Sequence, residues 1–479
     1  MRHRTALRYD PLRSPGDPRS GEYHRACNEV ATGEGESAIM REKVTFLSSG
    51  RSGMGLFAAV LPLLLATAST AFGQGMDEPE VLLDSGDTAW MLTSSALVLL
   101  MTLPGLALFY GGLVRSKNVL SVLVQCLVSA GLIGVLWVVV GYSLAFSGDG
   151  PFVGNLDEFL LGGMTPESLS GTIPSYVFVM FQGMFAIITP ALMLGAFAER
   201  MRFSAYMCFI AIWVLVVYCP LAHMVWGGGW IGASGALDFA GGLVVHMSSG
   251  FSALAAAIIL GKRRGFGTEQ MAPHSLPLTV IGASLLWVGW FGFNAGSELA
   301  ADGIAGLAFL TTQTATATAV LAWLLIEWMH RGKPTVLGGA TAAVAGLVAI
   351  TPACAFVSPG GSILVGLGAA IFCYLAVTML KPGAGYDDSL DVFGVHGVGG
   401  AWGALATGLF IWELPDGVTW GGQITTQIVS IAFTAVFAIV ATTIILYVLR
   451  AILGDLRVSD EDETTGIDLS EHSESAYSE

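Results

Sequence analysis

Charged side chains are scarce in this chain. Asp, Glu, Lys and Arg make up 12% of its 479 residues, against 54% apolar, and the mean hydropathy is +0.69. A soluble domain carries about 25% charged residues, so the deficit excludes a soluble enzyme or binding module and leaves a polytopic membrane protein. Cysteine is sparse as well. Cys126, Cys208, Cys219, Cys354 and Cys373 lie in or at the ends of apolar segments without C-x-x-C spacing, which excludes a thiolate metal site and makes them small core residues. There is no basic stripe, so no nucleic-acid partner is expected. With no nucleophile–base pair, metal cluster or phosphate loop on the chain, neither an enzyme nor a cofactor is expected. The net charge of −15 comes from the terminal segments and from loops between the apolar runs, and carries little information about a substrate.

The apolar residues fall into four unequal parts. Residues 1–39 are polar and aperiodic. From Met40, the basic Arg41, Lys43 and Arg51 precede an apolar core from Leu56 to Leu65, and small residues follow at Ala66, Ala68, Ala71 and Gly73. That is the layout of a secretory signal over 40–73. Either Met40 is the true start or the leader carries an extension, and the mature chain is expected to begin near Ser69 or Gln74. A membrane domain follows to residue 450, and 451–479 form an acidic tail. Within 74–450 the hydropathy predicts eleven spans, at 88–112, 120–146, 173–198, 203–226, 241–261, 278–297, 303–328, 337–356, 362–380, 394–412 and 423–450. The Lys and Arg residues beyond the leader occupy alternate loops: Arg115, Lys117; Arg200, Arg202; Lys262, Arg263, Arg264; Arg331, Lys333; Lys381; Arg450, Arg457. By the positive-inside rule the mature N-terminus lies outside and the tail in the cytoplasm, as expected of a multi-pass protein of the inner (plasma) membrane, in contact with its lipid.

Two stretches repeat a pattern. "LDFAGGLVVHMSSG" (237–250) and "DVFGVHGVGG" (391–400) each carry Asp, then glycine, then Val-His, then glycine four residues on. They fall on the fifth and tenth spans, so Asp238 and His246 in one half answer Asp391 and His396 in the other. Five spans per half is odd, which gives the halves opposite orientation. The expected fold is therefore all-α and polytopic: eleven transmembrane helices, as two five-helix inverted repeats plus a final long helix. A titratable ring in hydrocarbon is costly, and two of them from symmetry-related helices should meet near the midplane. The glycines allow that close approach.

"PGLALFYGGLVRSKNVLS" (104–121), "FQGMFA" (181–186), "AHMVWGGG" (222–229), "ALDFAGG" (236–242), "WFGFNAGS" (290–297) and "DVFGVHGVGG" together resemble the ammonium transporter family, which includes the Rhesus glycoproteins, and more closely its bacterial branch. On spacing alone the aromatic stripes would be core packing. The resemblance implies a homotrimer with one pore per subunit for ammonium and ammonia. It maps an outer vestibule for ammonium onto Trp226, Phe181 and Ser297, and a gate onto Phe185 and Phe293 with Trp290 beside them. His246 and His396 become the pore histidines. Asp238, about 12 Å outward of His246 on a regular helix, reads either as a cation ligand or as a structural carboxylate, with the second favoured; Asp391 reads the same way. His223 is expected to be scaffold, and His274 and His330 incidental. Composition alone makes the tail a solvated, disordered one, whereas the resemblance implies a regulatory segment around Gly466, Ile467 and Asp468 that folds under the trimer and meets a PII-type signalling protein. A sensor with little flux is disfavoured by the short tail, and a Rhesus-like neutral gas channel by the complete Trp226, Phe181 and Ser297 set.

Overall fold

The computed structural model describes residues 82–477, so the polar extension and the signal segment expected at 40–73 lie outside the described residues. In chain order the membrane body comprises α1 (Ser85–Leu113), α2 (Ser116–Phe146), α3 (Ser175–Phe197), α4 (Phe203–Ala233), α5 (Gly242–Leu260), α6 (Leu276–Glu298), α7 (Gly303–Arg331), α8 (Val336–Ile350), α9 (Pro359–Ala384), α10 (Val398–Phe410, entered through the π turn Phe393–Gly397) and α11 (Trp420–Leu453). Among the described residues nine of these are long and apolar enough to cross a bilayer; α8 and α10 are shorter, at 15 and 13 residues. Each expected span overlaps one of these helices, though the expected 203–226 falls short of the end of α4 and the expected 337–356 runs past the end of α8.

Local chemistry sets the helix starts. Asp84 accepts the N–H groups of Gly86 and Asp87 at 2.7 and 2.9 Å ahead of α1. Thr335, Ser358 and Thr419 do the same for Gly338, Gly361 and Gly422, ahead of α8, α9 and α11. Short oxygen-bearing side chains satisfy the otherwise orphaned first-turn donors. Pro104, which has no N–H to give, sits inside α1 where the helix widens into the π turn Met101–Leu106. Small residues then let helices touch backbone to backbone. A Cβ on Gly346 of α8 would lie 2.9 Å from the Cα of Thr316, and one on Gly366 of α9 2.2 Å from the carbonyl of Ala315, both on α7.

The basic loops gather on one face. Glu199, between α3 and α4, pairs with Arg115 at 2.8 Å and Arg263 at 3.0 Å, and Arg263 pairs with Asp387 at 2.9 Å. Four of the alternate loops, all but the one between α7 and α8, are thereby tied together. The tail folds onto this face, contrary to its composition, as two short helices, α12 (Asp460–Thr465) and α13 (Ile467–His472). Glu463 is buried against Arg457 at 2.6 Å and the N–H of Arg264 at 2.6 Å. Asp468 accepts the N–H groups of Leu120 and Ser121 in the first turns of α2, at 3.0 and 2.8 Å. The acidic residues thus find donors that a solvated tail would lack.

Candidate functional site

Both histidines lie in π turns at the start of their helices, Gly242–Met247 and Phe393–Gly397. The Asp238 carboxylate accepts four backbone N–H groups, from Gly241, Gly242, Leu243 and Val244, at 2.5–3.2 Å. Those donors occupy both of its oxygens, so its geometry is that of a structural cap. The structure gives the second histidine a cap at the same spacing: Asp388, eight residues before His396 as Asp238 is before His246, accepts the N–H of Phe393 at 2.8 Å. Asp391, paired with Asp238 in the sequence reading, instead bonds Lys381 at 2.5 Å. The register of the repeat thus shifts by three residues at this position. The eight-residue Asp-to-His interval was present in the sequence and would have identified Asp388.

The glycines four residues beyond each histidine act reciprocally. A Cβ on Gly250 would come within 2.1 Å of the N of Gly397, and one on Gly400 within 3.1 Å of the Cβ of His246. Each glycine packs against the other histidine's turn, and the two rings meet. Their Nδ1 atoms are 3.2 Å apart and their centroids 5.3 Å apart, both rings buried. One Nδ1 must donate and the other accept, so the two neutral rings hold opposite tautomers. The Nε2 of His246 is buried without a partner. His246 lines a cavity of about 10 Å³ together with His396, Trp290, Phe293, Ile188 and Leu192, at the lower limit for one water-sized molecule.

A continuous line of rings leads to this cavity. Trp226 meets Phe185 edge-on at 6.1 Å, Phe185 lies over Phe293 at 4.2 Å, and Phe293 stacks on His246 at 5.9 Å. Phe181 meets Phe185 at 4.9 Å. Phe181, Phe185 and Phe293 are buried, whereas Trp226 and Ser297 are half-buried, so the line runs from an accessible end to a dry one. Trp226 is aimed by its indole N–H, which donates to the carbonyl of Asp238 at 2.8 Å. Ser297 donates to the carbonyl of Phe293 at 2.8 Å, which leaves its oxygen lone pairs free to accept. Trp290 lies deeper than a gate, stacked on His246 at 5.3 Å with its N–H on Thr351 at 2.9 Å. Thr351 carried no signal in the sequence. Beyond the histidines, His396 also lines a wider cavity of about 560 Å³ with Tyr110, Glu327 and Asp391.

Gly466, Ile467 and Asp468 lie apart from this path, in the folded tail, where the N–H of Ile467 donates to Asn118 at 2.9 Å. His223 bridges α4 to the end of α2 and the loop after it, its ring nitrogens 3.1 and 2.6 Å from the carbonyls of Ala145 and Gly150. His274 contacts the Tyr477 hydroxyl of the tail at 2.8 Å, and His330 that of Tyr374 at 2.7 Å.

The sequence model of the Ammonium Transporter Family matches residues 89–477. The chain is 49% identical over 401 residues to an ammonium transporter of Bacillus subtilis (strain 168), covering 82% of this chain and 98% of that protein. It is 47% identical over 406 residues to an ammonium transporter of Aquifex aeolicus (strain VF5), covering 83% and 95%. Among solved structures it resembles Candida albicans Mep2, at TM-score 0.74 and 37% identity over 79% of this chain and 88% of that one. It also resembles a sensor Amt protein, at TM-score 0.76 and 29% identity over 81% and 98%.

Proposed function

The chain belongs to the ammonium transporter family, and on that premise we propose that it gathers ammonium at an aromatic vestibule, removes one proton and conducts ammonia past two histidines. The vestibule is formed by Trp226, Phe181 and Ser297. Aromatic faces attract a partly desolvated cation by roughly 1–2 kcal/mol, and the free lone pairs of Ser297 accept one N–H. This recruits the ion without trapping it. At the Phe185–Phe293 contact a hydrated cation would have to shed its shell, at a cost of several kcal/mol. Ammonium escapes that cost by giving up a proton, whereas potassium cannot. Ammonia then meets imidazole nitrogens that offer a donor and an acceptor, and the same pair can relay a proton.

The observation that carries this reading is the buried histidine pair lining a cavity of one-molecule size, with the Nε2 of His246 buried and unpartnered. A buried polar atom left unpaired in an apolar passage is costly unless a polar passenger visits it. The reading extends to a homotrimer in the inner membrane, with the basic face cytoplasmic and a PII-type protein meeting it near the tail. It also extends to an exported form cleaved near residue 74, which N-terminal sequencing of membrane-purified protein tests.

The decisive measurement is ammonium and potassium flux, with current, in proteoliposomes. His396→Ala is expected to lose ammonium flux or to leak potassium, because the His246 ring loses its partner and the dry path opens to water. His396→Glu is expected to transport with reduced selectivity, because a carboxylate keeps relay capacity but attracts cations. Parent-like flux and selectivity in both variants and in His246→Ala, with folded trimers, would make the histidines ordinary core residues. Ammonium binding without flux in the parent would favour a sensor.

A further inference from the structure

The last membrane helix carries a fully buried amide, Gln427, whose closest contacts go to backbone. Its Oε1 accepts the N–H of Leu237 at 2.8 Å, and its Nε2 donates to the carbonyls of Leu237 and Ala404, each at 2.8 Å. These contacts fix the amide's orientation, since a flipped amide would set oxygen against two carbonyls. Gly408 on α10 makes the reach possible: a Cβ there would lie 3.2 Å from the Cγ of Gln427. One turn earlier on α11, Gln423 donates to the carbonyl of Gly235 at 3.0 Å and approaches Oε1 of Gln427 at 3.4 Å.

The two ends of this bridge matter for the path. Leu237 lies outside any helix, so its N–H and C=O have no helical partners, and the Gln427 amide supplies both. It immediately precedes Asp238, whose carboxylate caps the His246 turn and whose carbonyl receives the Trp226 indole. Ala404 is on α10, which carries His396 at its entry turn. We infer that Gln427 is a positioning residue for transport: one amide holds the segment that aims Trp226 and His246 in register with the helix that follows His396. The inference rests on the transport reading above.

The test uses the full chain in proteoliposomes, with ammonium uptake followed over a concentration series and hydrogen exchange read at Gly241 to Val244. Gln427→Met removes both donations and the acceptance at similar volume. It is expected to raise the half-saturating ammonium concentration about tenfold with maximal flux within about twofold, and to speed exchange at those amides. Gln427→Glu keeps the acceptor but faces two carbonyls with a carboxylate, and should shift half-saturation at least as far. Gln423→Leu loses the Gly235 contact and the long approach to Gln427 but leaves all three backbone contacts of Gln427 in place, and should shift it less. Two outcomes overturn the inference: an unmoved half-saturation in Gln427→Met where Trp226→Leu does move it, or a fall in maximal flux that tracks loss of folded trimer with half-saturation unchanged. If Trp226→Leu is silent too, the transport reading has failed, which is a distinguishable result.

Discussion

Asp238 and Asp388 occupy equivalent positions before the two histidines and differ in how fully they are used. Asp238 receives four N–H groups, while one oxygen of Asp388 is buried without a partner. Burial pushes the Asp388 carboxyl up to about 6, even with Lys381 nearby to lower it. An amide in place of each separates the two cases. Asp238→Asn turns an acceptor into a donor facing N–H groups and should destabilise the protein by roughly 2–4 kcal/mol, whereas Asp388→Asn keeps the one acceptor in use and should change stability by less than about 1 kcal/mol. Thermal unfolding in detergent checks both. At the vestibule, Trp226→Leu with Ser297→Ala should preserve the fold and weaken uptake at micromolar more than at millimolar ammonium. A concentration titration decides, and an unchanged curve would mean that the vestibule does not recruit the ion. His246 and His396 were legible in the sequence because the pattern occurred twice. Gln427 was not, because a glutamine in an apolar helix shows neither which way it faces nor which distant backbone it meets.

At the scale of elements, hydropathy located each membrane helix, most of its ends to within a few residues, since burial in lipid imposes length and apolarity on each segment separately. It could not foresee the π turns at the histidines. These depend on carboxylates capping the turns and on glycines admitting the opposite backbone, all of which are tertiary contacts. The tail was misjudged by composition for the same reason: its acids are matched by loops hundreds of residues away. Asp468→Ala should release the first turn of α2, at a cost of about 1–2 kcal/mol. Faster amide exchange at Leu120 and Ser121 with unchanged exchange in α5 would show it. Parent-like protection at those two amides would mean the tail contact contributes nothing.

Across the whole molecule, the basic face is a lattice of charges joining loops that the sequence could only sort by sign. Burial raises the Glu199 and Asp387 carboxyls, but Arg263, with Arg115 at Glu199 and Arg200 at Asp387, outweighs it and holds both below their ordinary values of 4.5 and 3.8. A carboxyl depressed by folding stabilises the folded state above its ordinary value and loses that contribution as pH falls through the depressed one. The face should therefore be intact at pH 7 and loosen below about pH 4. Arg263→Met should move that acid transition to higher pH, as followed by proteolysis of the loops.

The capping of α2 by Asp468 also has a bearing on biosynthesis. Leu120 and Asp468 are separated by 348 residues, and at ribosomal rates of about 5–20 residues per second the second follows the first by tens of seconds. The first turn of α2 therefore waits, its donors uncapped, while nine further membrane helices and the first tail helix are made. One of the earliest helices is thus finished by residues made hundreds of positions later, so a chain broken off before Asp468 carries an open α2 terminus.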